Sequence, residues 1–429
     1  MRHRSGLLVA LPLCLCGATA KAEAPAPAAF QAAVRDDVDV VLFPAAGRPG
    51  PRPSVVAATL VDARPEAVGA VLLNPEAYRQ ALPALVRTDK VGTRPAAAET
   101  AAAKVGAGAA PELDHLLAWE LEIPLFNLEG RAWLSRGTDW VALELVEGAF
   151  APGRVRFRVA PVAGGRRTLL TCETQVDFRA SNFILRRVAR HDPWAEAAMS
   201  GAVALTLARA VALRAQAPAG SAPDRPRAPM TAPEPSALDG TSLAAEAFAP
   251  LRAQGRVAVV RRTSGGRLAW SSVAAAVPSG ATETGAHLAT PETWRVFPGW
   301  KSLKRAGAPV GVGTGGASPP TSPTRIEVVD NVPFVDLDAT WTITRAWPVR
   351  ARVTDGSTRG GVLAWDAVPA AGEATAALAI LSLHPRLDAA GYVERKLIAA
   401  EPLLEPALAL ALAYVWASAT AESLGAATR

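Results

Sequence analysis

The chain of 429 residues has only three cysteines, three methionines, three tyrosines and five histidines. Two of the cysteines, Cys14 and Cys16, fall inside an apolar N-terminal stretch. Once that stretch is removed Cys172 stands alone, no intramolecular disulfide can form, and stability has to come from packed cores. The run around it, LLTCETQV, alternates apolar with polar residues, which reads as a small core residue and not a reactive thiol. His115, His191, His287 and His384 lie singly along the sequence, no two at metal-ligand spacing, and HExxH and CxxC do not occur. No metal site and no cofactor is therefore expected. GxGxxG, the P-loop and GxSxG are missing too, which excludes the familiar nucleotide sites and the hydrolase nucleophile elbow. The formal charge is +6, yet no basic run of five or more and no basic–aromatic cluster exists, so nucleic acid is not an expected partner. That charge leaves room for transient contact with an anionic membrane surface.

What is present begins at the N-terminus. Arg2, His3 and Arg4 precede an apolar run from Leu7 to Cys16, and Ala18-Thr19-Ala20 and Ala20-Lys21-Ala22 are both cleavage-type triplets. Residues 1–22 read as a secretory signal peptide, so a periplasmic or secreted protein is expected. Neither Cys14 nor Cys16 follows the small residue that a lipoprotein cleavage site requires.

Beyond an Ala/Pro-rich leader the pattern is β-like at Val38–Phe43 and Ser54–Asp62. Two short helical segments follow, Pro65–Leu73 and Pro75–Leu82, each with proline in its first position. Alternating runs then succeed one another from Leu85 to Phe178. In RVRFRV, Val155, Phe157 and Val159 share one face and Arg154, Arg156 and Arg158 the other. This predicts an antiparallel sheet with one dry and one wet side. A long apolar helix from about Asn182 to Gln216 would cover the dry side, giving an α+β domain over residues 30–216. Residues 217–241 are Pro/Ala/Ser-rich and read as a solvated linker. Residues 242–429 repeat the plan. Asn74-Pro75-Glu76-Ala77-Tyr78-Arg79 matches Thr290-Pro291-Glu292-Thr293-Trp294-Arg295, and Asp192-Pro193 and Glu196 match Glu401-Pro402 and Glu405. The matches keep their order and near-constant spacing, as an internal duplication would.

Several stretches together resemble the START-like superfamily, also called SRPBCC or polyketide-cyclase-like. They are the entry Ala63–Val68, NPEAYRQALP, WELEIPLFNLEGRAWLS, the GRVRFRVAP…GRRTLLTCETQVDF hairpin and the closing helix. The resemblance implies a helix-grip fold, a curved antiparallel sheet wrapped around one long C-terminal helix, here in two tandem copies. It also implies a space between sheet and helix for a lipid, sterol, polyketide or other apolar ligand. The second copy departs from the pattern at PETWRVFPGWKSLKR and GAPVGVGTGGASPPTSPT, which puts its cavity in question.

Bulky apolar residues gather on inward-type positions: Trp119, Trp133, Phe157, Phe178, Trp194 and Met199 in the first copy, Trp341, Trp365, Tyr414 and Trp416 in the second. They are the candidate ligand contacts, with ordinary core packing as the alternative. No carboxylate pair and no nucleophile–base arrangement falls on the inward face, so no catalytic residue is assigned. The expected function is to bind or carry an apolar small molecule or lipid; a cyclase or dehydratase using the same cavity, and a filled interaction module, are the alternatives. A membrane span over Leu403–Ala419 is disfavoured by Glu405 and Pro406, and by Arg209 and Arg214 in the sister helix.

Overall fold

The computed structural model describes residues 27–45, 52–95, 113–123, 126–218, 221–223, 232–297, 300–305, 324–332, 335–344, 347–370, 373–387 and 392–427. The apolar N-terminal stretch lies outside them. The first half runs α1 (Ala28–Gln31), β1 (Val38–Pro44), β2 (Val55–Val61), α2 (Pro65–Leu72) and α3 (Pro75–Ala81). It continues with β3 (Leu85–Pro95), β4 (Leu113–Ile123), β5 (Phe126–Arg136), β6 (Trp140–Gly148), β7 (Gly153–Val162) and β8 (Arg167–Gln175). Two helices close it, α4 (Phe183–His191) and α5 (Ala195–Gln216). The second half follows the same order. After α6 (Ala249–Arg252) come β9 (Gly255–Arg262), β10 (Leu268–Val277), α7 (Ala281–Leu288) and a 3₁₀ turn, Pro291–Val296. Then come β11 (Trp300–Arg305), β12 (Thr324–Val332), β13 (Val335–Thr344), β14 (Val349–Gly356), β15 (Val362–Ala370) and β16 (Glu373–His384), closed by α8 (Tyr392–Ala400) and α9 (Leu404–Ala427).

Every strand pairing is antiparallel, and all sixteen strands belong to one sheet in the order 11-12-13-14-15-16-10-9-1-2-8-7-6-5-4-3. Each half contributes eight consecutive strands in the same internal order. They are joined where β1 meets β9, from Val38 opposite Arg261 to Pro44 opposite Gly255. β1 and β9 are equivalent strands of the two copies, so their antiparallel pairing relates the halves by a local twofold. The same operation brings the long helices α5 and α9 side by side against the inner face. Both are long and apolar enough to cross a membrane, and both are largely buried here against sheet and partner helix.

The expected dry and wet sides hold for the flanking strands but not for the central ones. The inner face of β1 carries Asp39, Val41 and Phe43, under the helices. Its outer face, Val40 and Leu42, packs with Val257, Val259 and Ile380 into a second core. That outer core is roofed by Phe30 of α1, Leu251 of α6 and Leu243 and Phe248 of the intervening 3₁₀ turns. Part of the stretch expected to be a solvated linker therefore folds: Pro235–Ala237 forms a 3₁₀ turn and Leu238 is fully buried. A strand with neighbours on both sides and apolar cover on both faces needs apolar residues in succession, which is why VDVVLF does not alternate.

The closing helix expected from about Asn182 to Gln216 proves to be two, and in the second copy a separate helix, α8, precedes α9 in the same way. Pro193 lacks an N–H and restricts Asp192 to an extended conformation, so α4 ends at His191 and α5 starts after the break. Asp192 Oδ1 accepts the Trp194 N–H at 2.7 Å, and in the second copy Glu401 Oε1 accepts the Leu403 N–H at 3.3 Å. One turn on, Glu196 pairs with Arg179 and Glu405 with Arg267, both at 2.8 Å and both with the carboxylate buried. A second repeated bond ties the short helices: Tyr78 Oη donates to Leu72 O at 2.8 Å, and Trp294 Nε1 donates to Leu288 O at 2.9 Å.

Residues 28–218 produced alone would expose β1 as a bare edge that has lost β9 beside it and α6 with its adjoining 3₁₀ turns from its outer face. Such an edge templates pairing with another chain. Light scattering coupled to gel filtration should show a dimer or larger species; a stable, folded monomer would contradict the shared-sheet account.

Candidate functional site

The inner face of the shared sheet and the two long helices enclose one continuous apolar core. At its centre Phe43 of β1 stacks on Tyr414 of α9, ring centroids 3.8 Å apart and planes inclined by 17°. Trp194, at the start of α5, meets Tyr414 edge-on at 6.3 Å. The Arg256 guanidinium lies over the Trp194 ring at 4.5 Å and donates to Ser418 Oγ at 3.0 Å. The close approach of α5 to this group depends on Gly201, where an added Cβ would stand 2.6 Å from Phe43 Cε1. Burial raises the Tyr414 phenol above its ordinary pKa, against the opposing pull of Arg256, so it stays neutral.

The second grip is filled with rings. Phe297 stacks on Trp416 at 4.7 Å with planes 2° apart, and its neighbours are Trp294 at 5.9 Å and Trp365 at 6.4 Å. Trp341 meets Trp416 edge-on at 6.5 Å. All five side chains are buried. Trp294 and Phe297 come from PETWRVFPGW, the stretch where this copy departs from the first.

The first grip differs. Phe157 is buried within the main core, but Trp119, Phe150, Leu185, Met199 and Val203 are half-buried around Phe178 in a smaller cluster beside α5. Trp119 lies 6.0 Å from Phe150, and Phe150 meets Phe178 edge-on at 5.4 Å. Trp119 reaches across Gly130, where an added Cβ would stand 2.7 Å from its Cζ2. Its Nε1–H is buried without an acceptor. The structure thus brings Trp119, Phe178 and Met199 together at one end of the first grip. Trp194 and Tyr414 meet at the seam, and Trp341, Trp365 and Trp416 pack inside the second grip.

Trp133 is placed differently from the sequence-based expectation. Ala132 and Leu134 point inward, so strand alternation turns Trp133 to the outer face, with the Arg94 guanidinium 4.3 Å over its ring. In GRAWLS the bulk of Trp133 outweighed the alternation in the sequence reading, although Arg131 and Ser135 share its face and Gly130, Ala132 and Leu134 form the apolar one. Phe43, Phe150 and Phe297 were missed for a different reason. Phe43 ends a strand that is apolar on both faces, and Phe150 and Phe297 lie beside a turn and in the divergent loop, where periodicity gives no face.

Polar groups also enter the inner face. Asp39 is 1% exposed and holds Arg262 through Nε to Oδ2 at 3.0 Å and Nη2 to Oδ1 at 3.4 Å. Thr59 Oγ1 donates to Asp39 Oδ1 at 2.6 Å and accepts from Arg209 Nη1 at 3.3 Å. At this point a cleft of about 390 Å³ opens between the end of α5 and the ends of β2, β8 and β9.

No family model matches the chain, and no curated protein matches it. Both halves are helix grips by their own geometry: a curved antiparallel sheet, two short helices after the second strand, and a long helix laid across the inner face. Solved structures to which the chain is similar include a START superfamily protein from Mycobacterium smegmatis, at 19% identity over 29% of this chain and 76% of that one, TM-score 0.23. Another is the di-domain ARO/CYC StfQ from the steffimycin biosynthetic pathway, at 9% identity over 86% of this chain and 98% of that one, TM-score 0.26. A third is the di-domain ARO/CYC BexL from the BE-7585A biosynthetic pathway, at 10% identity, 83% and 97% coverage and TM-score 0.22.

Tyr414→Ala should be among the most damaging single substitutions, because it removes the ring shared by both halves. A loss of about 3–5 kcal/mol is expected from denaturant unfolding, the range for deleting a buried aromatic. A loss below about 1 kcal/mol would show that the seam does not depend on this ring.

Proposed function

We propose that the protein binds an apolar small molecule without covalent chemistry, at the half-buried end of the first grip, and that the second grip is a filled scaffold. The observation that carries this reading is the contrast between the two aromatic sets. Trp341, Trp365, Trp416, Trp294 and Phe297 consume each other's surface. Trp119, Phe150 and Met199 keep part of theirs. The Trp119 indole N–H there is buried without an acceptor, as is that of Trp365 in the second grip, so the contrast lies in exposure. Apolar side chains around one convergent polar group are the composition of a small-molecule site. Burying ligand surface against them yields about 25 cal/mol per Å², so binding needs no catalytic group. A cyclase-type reading would need polar side chains projecting beside the bound ligand. Arg256 and Ser418, and Arg209 with Asp39, Thr59 and Arg262, are polar groups of the inner face that lie at the seam between the halves.

The protein, freed of any retained lipid, is expected to bind a neutral solvatochromic dye, and native mass spectrometry should find an apolar ligand after gentle purification. Met199→Trp, which adds bulk to the half-buried cluster, should weaken dye binding roughly tenfold or more with little change in melting temperature. Failure of the unaltered protein to bind dye or retain ligand would refute the reading. Binding that survives Met199→Trp but is lost on altering Trp341 would move the site to the second grip.

Export is part of the same proposal and rests on Arg2, Arg4 and the apolar run from Leu7 to Cys16. Intact-mass measurement of the protein recovered from its host should give a chain starting after Ala20 or Ala22; a chain retaining Leu7–Cys16 would oppose it.

A further inference from the structure

The cleft at the end of α5 is built by both halves of the molecule, and its charges do not balance in depth. On its floor two guanidinium groups, Arg209 from α5 and Arg262 from β9, face one buried carboxylate, Asp39. Arg262 takes both oxygens of that carboxylate. Arg209 Nη1 stands 3.9 Å from Oδ1 and reaches it through Thr59. The Arg209 side chain is 7% exposed, and apart from Nη1 its N–H groups have no protein acceptor among the described residues. Arg262 opposes its charge further. The carbonyls at the C-terminus of α5 offset only a fraction of a unit charge. At the rim, Arg167 pairs with the exposed carboxylates of Asp36 and Asp62, which face water and leave the floor uncompensated. Gln216 lines the same cleft.

A largely buried positive charge is costly unless it is paired and hydrogen-bonded, and here Arg262 takes the carboxylate and the Asp36 carbonyl while Arg209 is left with Thr59. A guanidinium with free N–H groups at the base of an open cleft is the arrangement that receives an oxyanion. We propose that this cleft is a binding site for a small oxyanion-bearing molecule, a carboxylate or phosphate, seated on Arg209 and Arg262, with Arg167 and Gln216 closing on it from the rim. The site is separate from the aromatic end of the first grip. Because Arg209 and Arg262 belong to different halves, the anion would fasten the seam as well as occupy it.

The test uses the full chain at low ionic strength, titrated separately with succinate and inorganic phosphate, with sodium chloride at matched ionic strength as control. Melting temperature and calorimetric binding are recorded. The expected result is a saturable rise in melting temperature with one of the two oxyanions, beyond the chloride control, as for any ligand that binds only the folded state. Arg209→Met should raise the melting temperature of the ligand-free protein by removing the poorly compensated charge, and should abolish the oxyanion-dependent rise. Arg167→Gln, at the rim, keeps the test informative should Arg209→Met fail to fold. It should weaken binding roughly ten- to a hundredfold, the effect of losing one charge-assisted hydrogen bond. The proposal is overturned if neither oxyanion acts beyond the chloride control, or if binding is unchanged in whichever of these variants folds.

Discussion

A β-strand can be apolar on both sides only if something covers both sides, and the pairing of β1 with β9 is where this chain meets that demand. Each half alone would end in an edge strand whose inner face is one-half of a groove and whose outer face is bare. Joining the two edges removes both, and the antiparallel geometry forces the halves into a twofold relation. Two apolar helices then share one inner face, and α1 and α6 with the adjoining 3₁₀ turns share the outer one. The tandem repeat is for this reason a single folding unit, with a core that crosses from one copy to the other through Phe43, Trp194 and Tyr414.

Duplication leaves the local devices intact and changes what fills the space. The acidic residue before the proline and the aromatic donor of the short helix make the same bond in both copies. The glutamate one turn later is paired in both but with arginines from different places, Arg179 after β8 and Arg267 between β9 and β10. The rings differ. The divergent PETWRVF segment supplies Trp294 and Phe297, which complete a stack that the first copy does not form. One scaffold thus carries one grip packed with buried rings and one whose rings are half-buried.

Much of the fold could be read from the residues because each device is local. Proline at the first helical position, alternation in RVRFRV and the repeated Asp/Glu-Pro start all act within a few residues. The helix-grip order followed from them, and the structure has it twice. What could not be read was anything settled by partners distant in sequence. The β1–β9 seam looks from the sequence like two ordinary apolar strands. Leu238 sits in a run with no periodicity and is buried only because β14 and β15 lie beside it. The inward face of GRAWLS was misassigned because the size of Trp133 outweighed Arg131 and Ser135 on its own face. Arg209 looked like a sign of a helix buried in protein, and α5 is largely buried here, but its pairing depends on Asp39 and Arg262, brought together by the seam alone.

Asp39 sets more than a charge balance. Side chains along a strand alternate between faces, so sliding β1 by one residue against β9 would turn this carboxylate outward among Phe30, Val257 and Val259, and would strand Arg209 and Arg262 without it. Two long apolar strands have many near-equal ways to pair. A single buried acid, held at 3.0 Å by an arginine from the opposite strand, works as a key that admits one of them.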